Sequence, residues 1–333
     1  MPSTVVVGGF FGDEGKGKII SYLSKKDNPS IVVRGGAGPN AGHTIKDGNT
    51  TYKVRMLPSG FLNKNARVMI GPGVVVDPKV FFKEIEEFGV SDRVFLDRHC
   101  GIIEQSHLDQ DSKGQLKEKI GSTGSGTGPA NAERAMRTLK MAKDVGSLSS
   151  YIIDVSSEIN SALKNQEKIL VEGTQGTHLS LWHGTYPFVT SKDVTASGIC
   201  ADIGLGPKNV NEVLVVFKAY LTRVGTGPMP NELDANETEQ RGWAEFGTVT
   251  GRPRRAAEFN FALALRAIML NSATQIAITK LDVRFPECAG VKSISELDNK
   301  AKSFIKNIED KLKVPVTLIG TGPLIDDVID LRT

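Results

Sequence analysis

Residues 4–18 read TVVVGGFFGDEGKGK, and this stretch decides the fold. An apolar run of strand length leads into a glycine-rich turn, and a helix-like segment starts at Lys16. The backbone N–H groups of such a turn, together with the positive end of the helix, form a binding site for phosphate. The stretch therefore predicts a strand, a phosphate loop and a helix in succession.

The loop differs from a standard Walker A motif at two positions. Phe10 stands where the first glycine of the motif belongs, and Gly17 stands where a Ser or Thr would bind Mg²⁺. The loop contains an acidic pair instead, Asp13-Glu14. A carboxylate beside a phosphate is unfavourable unless it binds Mg²⁺ or accepts a proton, so the pair indicates a reactive site. The alternative interpretation is an ordinary strand–helix turn with a solvated aspartate.

Apolar runs of strand length alternate with helix-like segments along the rest of the chain. Strands are predicted at Thr4–Val7, Ile31–Val33, Arg67–Ile70, Arg93–Leu96, Ile169–Val171, Gln275–Thr279 and Val316–Ile319. Helices are predicted at Lys16–Lys25, Pro78–Phe88, Ala130–Lys143, Tyr151–Lys164, Val210–Tyr220, Arg255–Leu270 and Asp298–Leu312. This alternation predicts an α/β fold, P-loop-NTPase-like, with a mostly parallel central sheet and helices on both faces.

The composition of the chain limits the domain organisation and the cellular location that can be expected. No linker-like stretch or internal repeat divides the chain, so residues 1–333 are predicted to form a single unit with its ligand-binding loops at the carboxyl edge of the sheet. The net charge of +3 argues against a dedicated nucleic-acid binder. No apolar run approaches the ~18–20 residues of a membrane span. Three well-separated cysteines are typical of a reducing compartment, which predicts a soluble, cytoplasmic protein without a membrane partner.

Two further glycine-rich loops carry polar groups. Gly35–Thr44, GGAGPNAGHT, surrounds His43 with small residues, which predicts an approachable imidazole suited to a general acid or to donation toward a phosphate oxygen. A histidine with a structural role is the alternative. Gly121–Pro129, GSTGSGTGP, precedes a helix with Arg134 and Arg137, and it is either a second phosphate site or a mobile connection.

Two later segments indicate anionic and purine ligands. Phe246–Arg255, FGTVTGRPRR, clusters three arginines behind hydroxyl groups, and guanidinium groups bind carboxylates and phosphates with two parallel hydrogen bonds. A solvated basic turn is the alternative. In Ile276–Asp282, IAITKLD, Asp282 can accept hydrogen bonds from N1–H and the 2-amino group of guanine while the stem of Lys280 packs on the base. Adenine lacks these donors, so the segment predicts GTP as the nucleotide.

Ten motifs, in order from end to end, resemble the adenylosuccinate synthetase family. They are GDEGKGK at Gly12–Lys18, NAGHT at Asn40–Thr44, PSG at Pro58–Gly60, STGSGTGP at Ser122–Pro129, EGTQGT at Glu172–Thr177, HGTYPFVTS at His183–Ser191, LTRVGTGP at Leu221–Pro228, TGRPRR at Thr250–Arg255, TKLD at Thr279–Asp282 and GTGP at Gly320–Pro323. The pairing of GDEGKGK with NAGHT is highly specific to that family. The compact chain resembles its short archaeal-type form.

The resemblance implies a GTP-dependent ligase that joins IMP to L-aspartate, giving adenylosuccinate, GDP and phosphate through 6-phosphoryl-IMP. Asp13 is implied as the base that removes the N1 proton of IMP, and His43 as the acid at the transferring phosphoryl group. Gln175 is implied as the contact to the 6-oxyanion. Mg²⁺ is the implied metal, with Asp13 and the carbonyl of Gly42 as its protein ligands.

The resemblance also implies three substrate sites. The GTP set is Gly12, Glu14, Gly15, Lys16, Gly17, Lys18, Gly42, Thr44, Arg254, Lys280, Leu281, Asp282, Gly320, Thr321 and Gly322. The IMP set is Asp13, Lys16, Asn40, Ala41, His43, Thr123, Arg137, Gln175, Thr190 and Arg252. The aspartate set is Thr248, Val249, Thr250, Gly251, Arg252 and Arg254. Arg137 is implied to reach the IMP of the partner subunit in a homodimer.

Two other functions stay open from the residues alone. One is a viral relative that makes 2-aminoadenylosuccinate from dGMP and that lacks an acidic residue at the position of Asp13, so Asp13 favours IMP. The other is a GTP-dependent regulatory switch, which would leave the hydroxyl-rich and arginine-rich loops without a purpose. Three departures from the family pattern are Phe10-Phe11 in place of Gln-Trp, Val249 in place of a second threonine, and Pro253 within the arginine run.

Overall fold

The computed structural model describes residues 2–113, 120–247 and 251–332. The strands in these ranges are β1 Ser3–Gly8, β2 Ile31–Arg34, β3 His43–Asp47, β4 Thr50–Val54, β5 Arg67–Ile70, β6 Val75–Val76, β7 Val94–Asp97, β8 Gly101–Ile102, β9 Ile152–Ile153, β10 Ile169–Glu172, β11 Glu212–Lys218, β12 Leu221–Val224, β13 Arg254–Ala257, β14 Gln275–Thr279, β15 Val316–Gly320 and β16 Val328–Asp330. The helices in the same ranges are α1 Lys16–Asp27, α2 Pro78–Phe88, α3 Gln105–Ser112, α4 Thr127–Met136, α5 Val155–Lys164, α6 Ala196–Ile203, α7 Ala235–Gln240, α8 Phe261–Asn271, α9 Leu281–Arg284 and α10 Asn299–Leu312.

One large sheet dominates the described part of the chain. Its ten strands lie in the order β16-β15-β14-β11-β1-β10-β2-β5-β7-β9. Every neighbouring pair is parallel except β15 with β16, which is antiparallel. Three separate two-stranded sheets pair β3 with β4, β6 with β8 and β12 with β13.

The central strands are buried on both faces. Val5 and Val7 of β1 pack into a core formed with helices α5, α6, α8 and α10, whereas Val6 packs against α1 on the opposite face. A parallel strand covered on both sides needs apolar residues at every position, which explains the unbroken apolar runs in the sequence. The predicted α/β class, with a mostly parallel sheet covered by helices on both faces, is confirmed.

All seven predicted strands are present, but one predicted helix is wrong. Val210–Tyr220 was expected to be helical, and it contains the strand β11 at the centre of the sheet, between β1 and β14. Its apolar residues recur at helical spacings, yet the β-branched run favours a strand, and burial on both faces removes the alternation that would have identified it.

Three other predicted helices occupy only part of their ranges. The helix expected at Ala130–Lys143 ends at Met136, because Arg137 adopts a left-handed conformation with φ of 69°. The helix expected at Tyr151–Lys164 begins at Val155, after the N-cap Asp154 accepts a hydrogen bond from the Ser157 amide. The segment expected to be helical from Arg255 starts as strand β13, and its helix begins only at Phe261.

The large sheet draws on both ends of the chain, since β1 begins at Ser3 and β16 ends at Asp330. This arrangement is compatible with the predicted single unit, which stays a prediction. Within the residues that the structure describes, no helix is both long enough and apolar enough to cross a membrane.

Candidate active site

The candidate site lies where five adjacent strands end. Strands β14, β11, β1, β10 and β2 are neighbours and parallel, so the loops that follow them meet at one edge. Direct contacts join these loops. The Thr279 hydroxyl donates to the Glu14 carbonyl at 2.5 Å, the Ala219 amide donates to the Thr279 carbonyl at 2.9 Å, and the His178 amide donates to the Phe10 carbonyl at 3.0 Å. The motifs after β1, β2, β10 and β14 therefore form one crevice, as expected for a parallel sheet.

The phosphate loop is shaped by its own acidic residue. The Glu14 carboxylate, fully buried, accepts hydrogen bonds from the amides of Phe10 at 2.9 Å and Gly12 at 2.8 Å. It also pairs with the Lys16 ammonium at 2.9 Å. A Cβ at Gly8 would lie 2.4 Å from this carboxylate, so glycine is required there by close packing. The side chain of Glu14 thus holds the loop, while Lys16 remains at the start of α1.

The two phenylalanines that depart from the family pattern serve packing. The Phe10 ring packs edge-on against Phe217 and Phe259, with centroids 4.8 and 5.2 Å apart. The Phe11 ring lies under the guanidinium of buried Arg223 at 4.4 Å. Both rings therefore fix the loop to its surroundings and stand apart from the acidic pair.

Asp13 lies at the junction of the phosphate loop and the arginine-rich segment. One carboxylate oxygen accepts a hydrogen bond from the Thr222 hydroxyl and lies 3.3 Å from Nε of Arg254. The side chain of Asp13 is 9% exposed, so it is enclosed without being sealed from a ligand. The structure thus brings together two predicted residues, Asp13 and Arg254, that are separated by most of the sequence.

A residue that the sequence analysis missed, Glu245, organises the same region. Its carboxylate contacts Lys218 Nζ at 2.8 Å, Arg254 Nη1 at 2.5 Å and Lys280 Nζ at 3.6 Å, and it accepts a hydrogen bond from the Tyr220 hydroxyl. Burial alone would raise the pKa of Glu245, but the cations of Lys218, Lys280 and Arg254 outweigh burial and lower the pKa to about 2. No motif marked Glu245, because its role arises only from tertiary neighbours.

His43 is enclosed, contrary to the expectation of an open imidazole. Its side chain is 7% exposed, and its Nδ1 lies 2.5 Å from Oε1 of Glu172 and 2.9 Å from the Ser59 hydroxyl. Helix α1 packs closely against this ring, since a Cβ at Gly17 would lie 2.8 Å from the Cβ of His43. Because Nδ1 makes both contacts, Nε2 is the ring nitrogen left to meet a ligand.

Glu172 is the second residue that the sequence analysis missed as a functional group. It ends β10, is fully buried, and also accepts from the Ser59 amide at 2.5 Å. Burial alone would raise the pKa of Glu172, but His43, Arg34 and the Ser59 amide outweigh burial and lower it. Burial lowers the pKa of His43, and Glu172 opposes this effect only in part. A carboxylate at the end of a buried apolar strand was the signal that could have identified Glu172.

The predicted IMP residues lie on neighbouring loops. Nδ2 of Asn40 donates to the Thr190 hydroxyl at 3.3 Å, which joins the loop after β2 to the HGTYPFVTS motif. The Gln175 side chain accepts from the Thr174 hydroxyl, and its backbone has a positive φ of 53°. Ala41 is buried, with 8% exposure.

The hydroxyl-rich loop meets the arginine-rich segment. Nη2 of Arg252 donates to the Gly121 carbonyl at 2.9 Å, and the hydroxyls of Thr123 and Ser125 lie 2.8 Å apart. Arg137, at the end of α4, is exposed to solvent. The segments that carry Thr123 and Arg252 therefore contact each other, whereas Arg137 lies on the surface of the single chain.

The TKLD motif and the C-terminal GTGP turn form the other end of the crevice. Lys280 has φ of 59° and caps α9, and Oδ1 of Asp282 is buried without a hydrogen-bond partner among the described residues. Burial raises the pKa of Asp282, although Lys280 and Lys18 oppose this effect. Nζ of Lys18 donates to the carbonyls of Gly322 and Asp327, both at 2.6 Å, which ties the turn to α1.

Some of the remaining predicted site residues lie in this crevice, and the others lie outside the residues that the structure describes. Leu281 and Thr321 are fully buried, and the Thr321 hydroxyl donates to the Val291 carbonyl at 2.8 Å. Gly15, which precedes α1, has φ of 81°, and Gly251 has φ of 63°. A Cβ placed on Gly320 would lie 3.3 Å from Nζ of Lys18. Thr44 lies in β3. Thr248, Val249 and Thr250 lie outside the described residues.

Two buried polar atoms in the crevice point to ligands. Asn40 Oδ1 and Asp282 Oδ1 have no hydrogen-bond partner within residues 2–113, 120–247 and 251–332. Buried polar atoms in proteins are nearly always hydrogen-bonded, so such atoms need an external partner. The two atoms lie in different motifs, one implied to bind IMP and the other guanine.

The donor set is suited to a metal shared with phosphates. In the described ranges no group of three His, Cys, Asp or Glu side chains could hold a metal by itself. Mg²⁺ usually takes only one or two protein carboxylates and completes its shell with substrate phosphates and water. Asp13 in the phosphate loop, with the Gly42 carbonyl in the loop that follows β2, fits this pattern.

Comparison with known proteins gives one consistent family. The family model described as adenylosuccinate synthetase matches residues 5–147 and 138–288. The chain is 55% identical over 333 residues to adenylosuccinate synthetase of Methanocaldococcus jannaschii, covering 99% of this chain and 96% of the relative. It is 53% identical over 336 residues to that of Methanococcus vannielii, covering 100% and 99%.

Solved structures give the same result. The structure of fully ligated adenylosuccinate synthetase from Plasmodium falciparum superimposes with a TM-score of 0.90 at 28% identity, covering 99% of both chains. The succinoaminodeoxyadenylate synthetase of cyanophage S-2L, bound to dGMP and dATP, superimposes with a TM-score of 0.83 at 27% identity, covering 100% of this chain and 96% of that one.

Proposed function

The chain belongs to the adenylosuccinate synthetase family, and we infer from that membership what its crevice does. It is a ligase that joins IMP and L-aspartate with the use of GTP, giving adenylosuccinate, GDP and phosphate. The observation that supports this reaction most directly is the position of Asp13, a carboxylate inside a phosphate loop and 3.3 Å from Arg254. A carboxylate at this position can take a proton from a nucleophile beside the phosphate loop.

The first chemical step is assigned to Asp13 and the phosphate loop. Asp13 takes the N1 proton of IMP, and the 6-oxygen attacks the γ-phosphorus of GTP, so that the bond to the GDP oxygen breaks and 6-phosphoryl-IMP forms. Phosphoryl transfer depends on positioning and on charge neutralisation, which Lys16 and the loop amides supply. Gln175 contacts the 6-oxygen as it gains negative charge.

His43 acts at the transferring phosphoryl group. Glu172 holds Nδ1, so Nε2 faces the ligand. To act as the acid, the ring must carry a second proton on Nε2, and the negative charge of the triphosphate beside it favours that cation. In the second step the amine of aspartate attacks C6, and the phosphate leaves.

Mg²⁺ would be held by Asp13 and the Gly42 carbonyl. When bound, the ion neutralises charge on the nucleotide phosphates. The chain's own residues around it keep the loop geometry, chiefly Glu14 through its two amide contacts.

The substrate sites follow the crevice from end to end. IMP lies between Asn40, Thr123, Thr190 and Arg252, and the guanine base lies at Lys280 and Asp282. Aspartate meets Thr248, Val249, Thr250 and Gly251 together with Arg252 and Arg254. We also propose a homodimer in which exposed Arg137 reaches the partner's IMP, and a cytoplasmic location.

An omission assay tests the proposal. Purified protein is given IMP, L-aspartate, GTP and Mg²⁺, and each component is left out in turn while adenylosuccinate is measured. A parallel reaction replaces IMP with dGMP, which the cyanophage structure contains. Product only from dGMP, or GTP hydrolysis that ignores IMP and aspartate, would overturn the proposal in favour of the dGMP-using enzyme or of a regulatory switch.

A further inference from the structure

Glu245 stands at the base of the loop that carries the predicted aspartate site. The Arg254 amide donates to the Glu245 carbonyl at 2.8 Å, and the Gly247 amide donates to the Arg252 carbonyl at 2.8 Å. Phe246 and Pro253 form an antiparallel bridge between them. Residues 245–247 and 252–254 therefore pair in antiparallel fashion, and Glu245 and Arg254 form the first pair.

The side chain of Glu245 contacts residues that are assigned to the sites of different substrates. Arg254, at 2.5 Å, belongs to the aspartate and GTP sets, whereas Lys280, at 3.6 Å, belongs to the guanine end. Lys218, 1% exposed, comes from the centre of the sheet and contacts the same carboxylate oxygen as Arg254. We call Glu245, Lys218, Tyr220, Arg254 and Lys280 the Glu245 cluster.

The cluster is too asymmetric to be a simple structural ion pair. Lys218 and Arg254 are largely buried and make short contacts, while Lys280 is 45% exposed and sits at the longest distance. Arg254 is placed between two carboxylates, Glu245 through Nη1 and Asp13 through Nε. Arg254 and Lys280, the two cations assigned to substrates, are therefore both held by the Glu245 carboxylate.

Without Glu245, this arrangement would change in a defined direction. Arg254 would keep only Asp13 as a carboxylate partner and would be drawn toward the phosphate loop. Lys280 would lose its anchor and regain the rotamer freedom of an exposed lysine. The guanine end and the aspartate loop would then no longer be connected through side chains of this cluster.

We propose that Glu245 is a positioning residue that couples GTP binding to aspartate binding, by holding Lys280 and Arg254 on a single carboxylate. The proposal rests on the proposed function, since it assigns these two residues to the nucleotide and to aspartate. GTP that orders Lys280 fixes the carboxylate, and the fixed carboxylate holds Arg254 where the substrate carboxylate arrives. Aspartate therefore binds more tightly to the enzyme that already holds GTP, and by linkage the reverse is also true.

The test is Glu245→Gln, which keeps size and removes the charge. The KM for aspartate is measured at low and at saturating GTP, and the ratio of the two values is the coupling. The wild-type ratio is expected to exceed one, and the variant ratio to fall close to one. The KM for aspartate at saturating GTP is expected to rise about 10-fold, the effect of one weakened charge-assisted contact. Glu245→Asp, which keeps the charge, should recover part of the coupling.

Glu232→Gln is the matched control. Glu232 pairs with Arg255, the neighbour of Arg254 in the same strand, and it is outside the proposed site. This variant should keep the wild-type coupling. The equilibrium Kd for IMP, measured by calorimetry, should be unchanged in Glu232→Gln and should change less than the coupling in Glu245→Gln, because among the described contacts Glu245 reaches the IMP set only through the Arg254–Asp13 pair.

The outcomes separate this proposal from the proposed function. An unchanged coupling ratio in Glu245→Gln, or an equal loss of IMP affinity and coupling that marks general structural damage, would overturn the positioning role while the wild type still forms adenylosuccinate. A wild type that forms no adenylosuccinate would overturn the proposed function itself, and the assignment of Glu245 with it.

Discussion

Replacing Glu172 with glutamine should slow the ligation and leave IMP binding intact. In the wild type, Oε1 of Glu172 lies 2.5 Å from Nδ1 of His43, and Oε2 accepts from the Ser59 amide at 2.5 Å. An ionised carboxylate keeps a proton on Nδ1 and stabilises positive charge on the ring. Glutamine has one acceptor oxygen, which the Ser59 amide requires, so its NH₂ group faces Nδ1. The ring proton then moves to Nε2, and the imidazolium loses its counter-charge.

The size of the effect follows from the contact that is lost. A hydrogen bond between charged groups contributes about 1.5–3 kcal/mol, which corresponds to a fall in kcat of roughly 10- to 150-fold. Stability should fall as well, by about 1–3 kcal/mol, because fully buried Arg34 loses the nearest of its stabilising charges. The KM for IMP should change little, since the predicted IMP residues other than His43 keep their partners.

Glu84→Gln is a control with the same chemistry in a different place. Glu84 is a buried carboxylate near Arg34 that accepts from the amides of Arg55 and Leu57, at 2.6 and 2.9 Å, and makes no contact with His43 among the described atoms. This variant should lose stability and keep its kcat. Steady-state kinetics give kcat, thermal unfolding gives stability, and ¹⁵N spectra of the imidazole report which ring nitrogen carries the proton. A wild-type kcat in Glu172→Gln, or a proton that stays on Nδ1, would refute the reasoning.

Three further predictions use other parts of the crevice. Asp282→Asn should raise the apparent KM for GTP by about 10-fold or more and favour XTP, because the amide matches the 2-carbonyl of xanthine; equal KM ratios for the two nucleotides before and after the change would contradict the guanine assignment. Gly36→Ala should destabilise the fold by more than the ~1–3 kcal/mol of a strained backbone, since φ is 106° and the new Cβ would lie 1.9 Å from the Thr174 hydroxyl. Gly89→Ala, with φ of 61° and open space around its Cβ, measures the backbone cost alone in thermal unfolding, and equal losses in the two variants would contradict the packing argument. The contribution of Glu245 to the free energy of unfolding should be fully present above its ordinary pKa of 4.5 and decline by about 3 kcal/mol as pH falls toward 2, because its pKa is lowered in the folded state. Denaturant titrations of the wild type and Glu245→Gln between these pH values check this expectation. A stability difference between the two proteins that does not vary with pH would count against it.

The strands could be predicted where apolar composition alone decides the structure. Arg67–Ile70 and Gln275–Thr279 were predicted with the bounds that the structure has, because apolar runs this short leave no room for a helix. The strand β11 could not be identified in this way. Its seven residues lie in a longer apolar stretch whose spacing also fits a helix, and only its place between β1 and β14 removes the ambiguity.

The predicted site residues differ from the missed ones in what they are expected to contact. Asp13, His43 and Asp282 each lie in a motif whose local sequence marks a group that can meet a ligand. Glu172 and Glu245 act on other side chains, and their partners are 129 positions away for the Glu172–His43 pair and 27 for the Glu245–Lys218 pair. Such pairs can be identified only when the order of the strands is known.

The strand order explains why carboxylates at these two places are effective. β10 lies between β1 and β2, so Glu172 at its carboxyl end is set between the phosphate loop and the loop that carries His43. β11 lies between β1 and β14, so Lys218 at its end lies between Asp13 and the TKLD motif. The Glu245 carboxylate contacts the ammonium group of Lys218 there. Each carboxylate therefore fixes a cationic or proton-carrying group beside the phosphate loop, one on either side of β1. Neutralising Glu172 is expected to slow the chemical step, and neutralising Glu245 to reduce substrate coupling. The double variant Glu172→Gln/Glu245→Gln should show both effects at the size that each has alone, because Glu172 and Glu245 share no contacting side chain among the described residues.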